Sequence, residues 1–229
     1  MSTSETEFSF ERSMKKVESY PFLHRFLPVD RYLIRPPASL VAKALFRTDV
    51  TPNQVTKASL VMAVLAALVY TGGRPVFFVV AGCLVLISAV LDAADGMLAR
   101  AKAMTSRYGA YLDLFLDRIA DFVVLLGATY GYFKATRNFG FLAFGLVTIG
   151  LYLLQLSLYY INLLYTRAEK KGEGAEAKSL AAFIIFLVSI AGRPDLGLFA
   201  VFGMALPGTI IKLVRFLAKG RDPEAVRIR

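Results

Sequence analysis

Four aspartates occur close together in a chain that is otherwise mostly apolar: Asp92, Asp95, Asp113 and Asp117. Carboxylates are costly in an apolar setting, so acids found there are candidates for function. At about 100° per residue, Asp92 and Asp95 share one stripe of a helix, and Asp113 and Asp117 share one stripe of another. Aspartate oxygens without nearby His or Cys suit hard ions such as Mg²⁺ or Mn²⁺. Two such ions can bridge a diphosphate, so the pattern predicts a metal site for a nucleoside diphosphate.

Small and basic residues accompany the acids. Gly96 and Ala99 share the first acidic stripe and leave room for a bulky ligand, while Arg100 at its edge offers a forked donor for phosphate oxygen. Gly109 precedes Asp113 by one helical turn. Residues 101–108 are enough for a short turn between two helices. The acidic stripes can therefore face each other, with all the carboxylates near one membrane face.

Together these residues resemble a known family motif. The sequence reads Asp92-x2-Asp95-Gly96-x2-Ala99-Arg100-x8-Gly109-x3-Asp113-x3-Asp117. This pattern resembles the full motif of the CDP-alcohol phosphotransferases, and all eight positions match. Thr51-Pro52-Asn53, at the start of the first apolar run, is similar to the Thr-Pro-Asn before this family's first transmembrane helix. The resemblance runs from about residue 31 through the apolar spans, and beyond Asp121 it depends on hydropathy alone.

The resemblance implies a membrane-embedded transferase of phospholipid synthesis. A substituted phosphate would pass from a CDP-linked lipid donor, expected to be CDP-diacylglycerol, to the hydroxyl of a small alcohol such as inositol phosphate or glycerol phosphate. CMP would be released, with two Mg²⁺ or Mn²⁺ ions as cofactors, and a homodimer is expected from the family. The choice of acceptor depends on Arg118 and on a loose resemblance of residues 31–56 to the inositol-phosphate branch. CDP-choline or CDP-ethanolamine with a diacylglycerol acceptor remains open.

Each candidate residue has an expected role and an alternative one. The aspartates of the motif are the expected metal ligands, against salt bridges with Arg100, Lys102 or Arg107. Asp117 is also the expected general base, as the resemblance implies, and spacing leaves open whether it binds metal, takes the proton or does both. Arg118 is a candidate for acceptor binding, against an internal ion pair with Asp121. The expected nucleotide-binding residues are Asn53, Gly96, Ala99, Arg100 and Gly109. Their alternatives are helix capping at Asn53 and ordinary helix packing at the glycines.

The composition indicates an integral membrane protein. The chain has 229 residues, 56% of them hydrophobic, and a mean hydropathy of +0.55. Its uncharged runs are residues 58–73, 75–91, 122–133, 138–166, 179–192 and 196–211. A crossing needs about 20 residues, so the third helix is expected to begin near Tyr108 and the short fifth run could instead be re-entrant. We expect an all-α fold of six transmembrane helices preceded by an interfacial amphipathic segment.

The charges predict the organisation and orientation of the chain. Residues 1–19 are expected to form a flexible polar tail, 20–49 the amphipathic segment, broken at Pro28 and Pro36-Pro37, 50–217 the six-helix catalytic domain and 218–229 a basic tail. With six spans, few of the 27 Lys and Arg residues fall on one side: Arg74, Lys134, Arg137 and Arg193. Both termini and the acidic site should therefore face the cytoplasm of a prokaryotic cell. The net charge of +10 fits this bias and contact with anionic membrane lipids, and we expect no nucleic-acid partner.

A divalent-cation transporter is the rival hypothesis from another functional class. Acids within membrane helices can form a translocation site, which would explain the carboxylates. The transporter hypothesis gives no reason for Gly96, Ala99, Arg100 and Gly109. It also predicts acids near the middle of the bilayer, whereas these acids are expected toward one end of their helices.

Overall fold

The computed structural model describes residues 30–166 and 173–219, which are helical apart from short connections. A π-helical turn, Asp30–Ile34, leads into a short helix α1, Arg35–Phe46. Six longer helices follow: α2 (Pro52–Tyr70), α3 (Pro75–Ala101), α4 (Arg107–Thr136), α5 (Phe139–Thr166), α6 (Glu173–Ile190) and α7 (Pro194–Lys219). The predicted all-α class is thus confirmed over the described ranges. The predicted tail 1–19, residues 20–29 and the last ten residues lie outside them.

Prolines mark where several helices begin. Pro52, Pro75 and Pro194 each open a long helix, where the missing N–H of proline has no bond to lose. Pro36-Pro37 lies in the first turn of α1 for the same reason. The π-helical turn ends and α1 begins directly before this pair, in agreement with the expected break there, and Pro28 lies outside the described residues.

Four helices in the described part of the chain are long and apolar enough to cross a membrane. They are α2, α3, residues Phe139–Leu158 of α5 and residues Pro194–Val214 of α7. These helices fit a multi-pass membrane protein. The third predicted span, α4, has 30 residues and begins at Arg107, next to the expected start, but it carries the charged residues of the motif. The fifth, α6, is strongly apolar only over Leu180–Ile190.

Helices α2 and α4 pack with their backbones in contact. The Gly127-x3-Gly131 pattern on α4 is typical of close helix packing. A Cβ atom added at Gly127 would lie 2.5 Å from the carbonyl oxygen of Ala67, and one at Gly131 would overlap the carbonyl oxygen of Tyr70. Only glycine allows this approach, which places α4 firmly against α2.

The short helix α1 packs behind the acidic half of α3. Ala38 and Ala42 of α1 are fully buried in a cluster with Met97 and Leu98 of α3 and Val55 of α2. At about 100° per residue, these α3 positions lie on the side of the helix opposite the acidic stripe. Burial of this apolar side therefore turns the carboxylates of α3 toward α4.

Candidate active site

A tight turn reverses the chain between the two acidic helices. At the end of α3, the Met104 N–H donates to the Ala99 carbonyl at 2.9 Å and the Ala103 N–H to the Arg100 carbonyl at 3.3 Å, a Schellman arrangement. Its left-handed residue is Ala103, with φ 54°, at a place where glycine is usual. Ser106 then caps α4 by accepting a hydrogen bond from the Gly109 N–H at 2.9 Å. The predicted antiparallel return of the second helix is confirmed.

Three of the predicted metal ligands come together where α3 and α4 face each other. Asp92, Asp95 and Asp113 each place one carboxylate oxygen within 4.8 Å of the others. Asp95 is buried, with 5% of its surface exposed, and the other two are half-buried. Three oxygens at this spacing fit a hard divalent cation, which would also offset the mutual repulsion of the carboxylates.

The group of carboxylate oxygens within 4.8 Å of one another is formed by Asp92, Asp95 and Asp113, and Asp117, the fourth predicted ligand, is not among them. It lies one turn farther along α4, and its Oδ2 is 3.6 Å from Arg118 Nη2. Arg118 Nη1 is 3.1 Å from Asp121 Oδ2, so the ion pair considered for Arg118 does form. The Tyr152 hydroxyl of α5 donates a hydrogen bond of 2.8 Å to that same oxygen of Asp121.

Two of the predicted nucleotide-binding residues meet at the N-terminal ends of α2 and α4. A Cβ atom added at Gly109 would lie 3.3 Å from Asn53 Oδ1, so the amide side chain of Asn53 borders the glycine. Thr51, not Asn53, is the N-cap of α2, and its backbone N–H donates a hydrogen bond of 2.8 Å to Oε1 of Gln54. The capping alternative for Asn53 is therefore wrong, and its side chain is directed to the motif instead.

The remaining nucleotide-binding candidates lie on the acidic stripe of α3. Among the described residues, a Cβ atom at Gly96 would have only the guanidinium of Arg100 within ordinary contact, with Nη1 at 3.5 Å. Ala99 is half-buried and Arg100 is exposed. The stripe thus has a surface of small residues with a long basic side chain beside it. A phosphate group could lie on this surface and accept hydrogen bonds from the guanidinium.

A cavity of about 60 Å³ continues from the acidic residues into the helix bundle. Asp92 and Asp121 line it together with Tyr152, Ser59 and Ser88. The two serines join α2 to α3, because Ser59 Oγ donates to the Ser88 carbonyl at 3.0 Å and Ser88 Oγ to the Ser59 carbonyl at 2.9 Å. The polar residues of the cavity wall therefore come from four helices, and the space adjoins the carboxylate cluster.

Sequence reasoning missed two residues that organise this region. Lys102, considered only as a salt-bridge partner, donates from Nζ to the carbonyl oxygens of Thr48 at 2.6 Å and Val50 at 2.8 Å. Tyr152 lies in a long uncharged run, where a tyrosine carries no sequence signal that would associate it with the acids of another helix. The contact of Lys102 with the residues before α2 is equally hard to predict from the sequence, because it joins distant parts of the chain.

Comparison with known proteins decides which family has this arrangement. Residues 49–216, most of the chain, match the profile of the family described as CDP-alcohol phosphatidyltransferase. The chain belongs to the CDP-alcohol phosphatidyltransferase family. The predicted resemblance is confirmed, and the protein is a transferase of phospholipid biosynthesis. The transporter hypothesis is thereby set aside.

Relatives within the CDP-alcohol phosphatidyltransferase family carry related names. The chain is 29% identical over 173 residues to an archaetidylinositol phosphate synthase of Pyrococcus horikoshii, covering 73% of this chain and 84% of the relative. It is 30% identical over 161 residues to a phosphatidylinositol phosphate synthase of Mycobacteroides abscessus, covering 70% of each. Both names belong to the inositol-phosphate branch of the family.

Solved structures share the fold. The phosphatidylinositol phosphate synthase of Mycobacterium tuberculosis with CDP-DAG bound has a TM-score of 0.65 at 20% identity, over 84% of this chain and 98% of that one. The same enzyme in complex with manganese and citrate has a TM-score of 0.62 at 19% identity, over 84% of this chain and 93% of that one. At this level of identity the likeness concerns the helical architecture.

Proposed function

We propose that this transferase moves a phosphatidyl group from CDP-diacylglycerol to a hydroxyl of inositol phosphate and releases CMP. The single observation that carries the proposal is the convergence of Asp92, Asp95 and Asp113 within 4.8 Å in a chain with the complete family motif. The names of its relatives support inositol phosphate as the acceptor, and the CDP-DAG bound to the mycobacterial structure supports the donor.

The carboxylate cluster is the proposed metal centre. Asp92, Asp95 and Asp113 would hold Mg²⁺ or Mn²⁺, and Asp117, one turn farther on, would complete the site for a second ion. The solved relative with manganese supports this choice of cation. Bound divalent ions would neutralise charge on the diphosphate of the donor and on the departing CMP oxygen.

The residues around the cluster would bind and orient the donor nucleotide. Gly96 and Ala99 leave space for the diphosphate along α3, and Arg100 would donate to its oxygens. Asn53 and Gly109, in contact at the helix ends, would receive the cytidine portion. The acyl chains of the donor can then remain among the apolar outer surfaces of the bundle, since the nucleotide binds at one end of the helices.

Asp117 is the proposed general base for the acceptor hydroxyl. Its carboxylate would take the hydroxyl proton as the oxygen attacks the phosphorus distal to cytidine. A new P–O bond forms to the acceptor, and the bond from that phosphorus to the CMP oxygen breaks. Arg118, beside Asp117, would bind the phosphate that the acceptor already carries.

The topology that goes with this function has six membrane crossings. Together with the four apolar helices, α4 and α6 would give six crossings, and the turn Asp30–Ile34 and α1 would lie at the interface. The Lys and Arg distribution supports cytoplasmic termini and a cytoplasmic active site in a prokaryotic cell membrane. We extend the proposal to a homodimer, as expected for the family.

The proposed function is tested with purified protein, Mg²⁺ and radiolabelled CDP-diacylglycerol. A panel of acceptors should include inositol phosphate, glycerol phosphate, free inositol and diacylglycerol with CDP-choline as donor. We expect CMP release that requires both inositol phosphate and the divalent ion. Turnover with another acceptor and none with inositol phosphate would contradict the acceptor assignment, and turnover undiminished by a chelator would contradict the metal site.

A further inference from the structure

A tyrosine of α5 reaches the charged residues of α4. The Tyr152 hydroxyl donates a hydrogen bond to Asp121 Oδ2 at 2.8 Å. The same oxygen lies 3.1 Å from Arg118 Nη1. One carboxylate oxygen of Asp121 therefore links a phenol from α5 to the guanidinium that stands next to Asp117.

This link sets the distance between Arg118 and Asp117. Arg118 Nη2 is 3.6 Å from Asp117 Oδ2, which is close enough for an ion pair and too long for a good hydrogen bond. The side chains of Arg118, Asp117 and Asp121 are 24%, 16% and 18% exposed, so their charges interact more strongly than charges on an open surface would. Asp121 therefore holds the Arg118 guanidinium by the shorter of the two contacts, and Asp117 has the longer one.

The hydroxyl of Tyr152 fixes the conformation of the Asp121 side chain, and the contact between Asp121 and Arg118 depends on that conformation. An aspartate side chain can occupy several rotamers, and a second donor on the same oxygen favours the one observed. Without the phenol, Asp121 could rotate and release Arg118. The guanidinium could then form a direct hydrogen-bonded pair with Asp117, since charge-assisted pairs of this kind are strong.

We propose that Tyr152 is a positioning residue of the active site, which acts through Asp121 to hold the Arg118 guanidinium where the phosphate of the incoming alcohol binds. The inference rests on the proposed function, because that phosphate is the group assigned to Arg118. Tyr152 and Asp121 also line the cavity that Asp92 borders, so the network adjoins the space next to the carboxylate cluster. The ligand class is an alcohol that carries a phosphate monoester.

The test compares two tyrosines that each lose one hydroxyl. Tyr152→Phe removes the bond to Asp121, whereas Tyr70→Phe removes a bond of 2.5 Å to Ser189 that joins α2 to α6 and is wholly buried. Steady-state CMP release is measured with inositol phosphate varied at saturating CDP-diacylglycerol, and the reverse. We expect Tyr152→Phe to raise KM for inositol phosphate about 10-fold, the order expected for one hydrogen bond to a charged group, with KM for the donor unchanged. Tyr70→Phe should lower the unfolding temperature and leave KM for inositol phosphate as it is.

A double variant separates positioning from general loss of packing. If Tyr152 acts through Arg118, its removal should add little to KM for inositol phosphate once Arg118→Lys has been made. If KM for inositol phosphate in Tyr152→Phe/Arg118→Lys rises by the product of the two single fold-changes, the inference is overturned. A Tyr152→Phe variant with an unchanged KM for inositol phosphate, or one whose two KM values rise equally, would also overturn it.

Failure of the proposed function gives a different result. A wild-type protein that turns over glycerol phosphate and not inositol phosphate would overturn the proposed acceptor, and KM for glycerol phosphate then decides the role of Tyr152. If no acceptor is turned over, calorimetric titration with inositol phosphate decides it. Weaker binding to Tyr152→Phe than to wild type and to Tyr70→Phe supports positioning, and equal binding overturns it.

Discussion

The ammonium group of Lys102 donates a hydrogen bond of 2.8 Å to the carbonyl oxygen of Val50. A second donation, of 2.6 Å, reaches the carbonyl oxygen of Thr48. Lys102 is the C-cap of α3, directly after the acidic half of that helix, and the two carbonyls belong to the connection between α1 and α2. This contact fixes the start of α2, and with it Asn53, relative to the motif.

Lys102→Met should therefore weaken donor binding. The variant keeps the length of the side chain and loses both hydrogen bonds, so the segment before Asn53 should become less well positioned. We expect KM for CDP-diacylglycerol to rise about fivefold with kcat little changed, less than a buried charged hydrogen bond would give because Lys102 is half-exposed. Lys57→Met, at an exposed site on α2, is the matched control and should leave KM unchanged. An unaltered donor KM in Lys102→Met would contradict this role.

Gly96→Ala separates ligand space from helix packing. In the part of the chain that the structure describes, the added methyl group would meet only the guanidinium of Arg100, with Nη1 at 3.5 Å. Alanine also favours a helix by about 1 kcal/mol over glycine. The unfolding temperature should stay the same or rise, while KM for the donor rises at least about 10-fold because the diphosphate loses its close approach to α3. Gly203→Ala, where the methyl group meets no atom of the described residues within 4 Å, should keep normal kinetics. A Gly96→Ala protein that binds donor normally would remove Gly96 from the nucleotide site.

Gly127→Ala, unlike Gly96→Ala, should lower the stability of the protein. A Cβ atom there would lie 2.5 Å from the Ala67 carbonyl oxygen, so α2 and α4 would have to separate. Overpacking of this kind costs about 1–3 kcal/mol, and the unfolding temperature in detergent should fall. Gly150→Ala on α5 is the control, because no atom of the described residues lies within 4 Å of the added methyl group, and its unfolding temperature should not fall. Equal unfolding temperatures for the two variants would show that the α2–α4 contact is not as close as described.

Much of the candidate metal site could be predicted from the sequence, because helical periodicity places Asp92 and Asp95 on one stripe and Asp113 on another, and a short turn lets the two stripes face each other. The start of α4 followed from the same reasoning, since a span of that length had to include the acids before it. Periodicity does not determine the distances between side chains on two different helices, so the sequence could not predict which of the four aspartates form the group within 4.8 Å. Tyr152 could not be found because its partner belongs to another helix. The boundary at Pro36-Pro37 could be predicted because proline is disfavoured inside a helix and tolerated in its first turn.

Asp117→Asn tests the proposed base. The amide cannot accept the hydroxyl proton, so kcat should fall by about 100-fold or more, in the range of general base catalysis. Donor affinity, measured by equilibrium binding of CDP-diacylglycerol in the presence of Mn²⁺, should fall much less. A variant with normal kcat and weak donor binding would show that Asp117 serves the nucleotide or metal and not the proton transfer.

Asp113→Asn tests the cluster itself. Loss of one of the three converging carboxylates should abolish metal-dependent CMP release, because a neutral amide is a poor ligand for Mg²⁺. The protein should still fold, since Asp113 is half-buried and its replacement removes a like charge from its neighbours. The unfolding temperature without added metal provides the control. Full activity in this variant would exclude Asp113 from the metal site.

The most direct measurement is anomalous scattering from crystals grown with Mn²⁺ and CDP-diacylglycerol. The account predicts manganese peaks between α3 and α4, ligated by Asp92, Asp95 and Asp113 and adjoining Asp117, with the diphosphate bridging them. Manganese bound elsewhere, or a donor diphosphate remote from these carboxylates, would contradict the account.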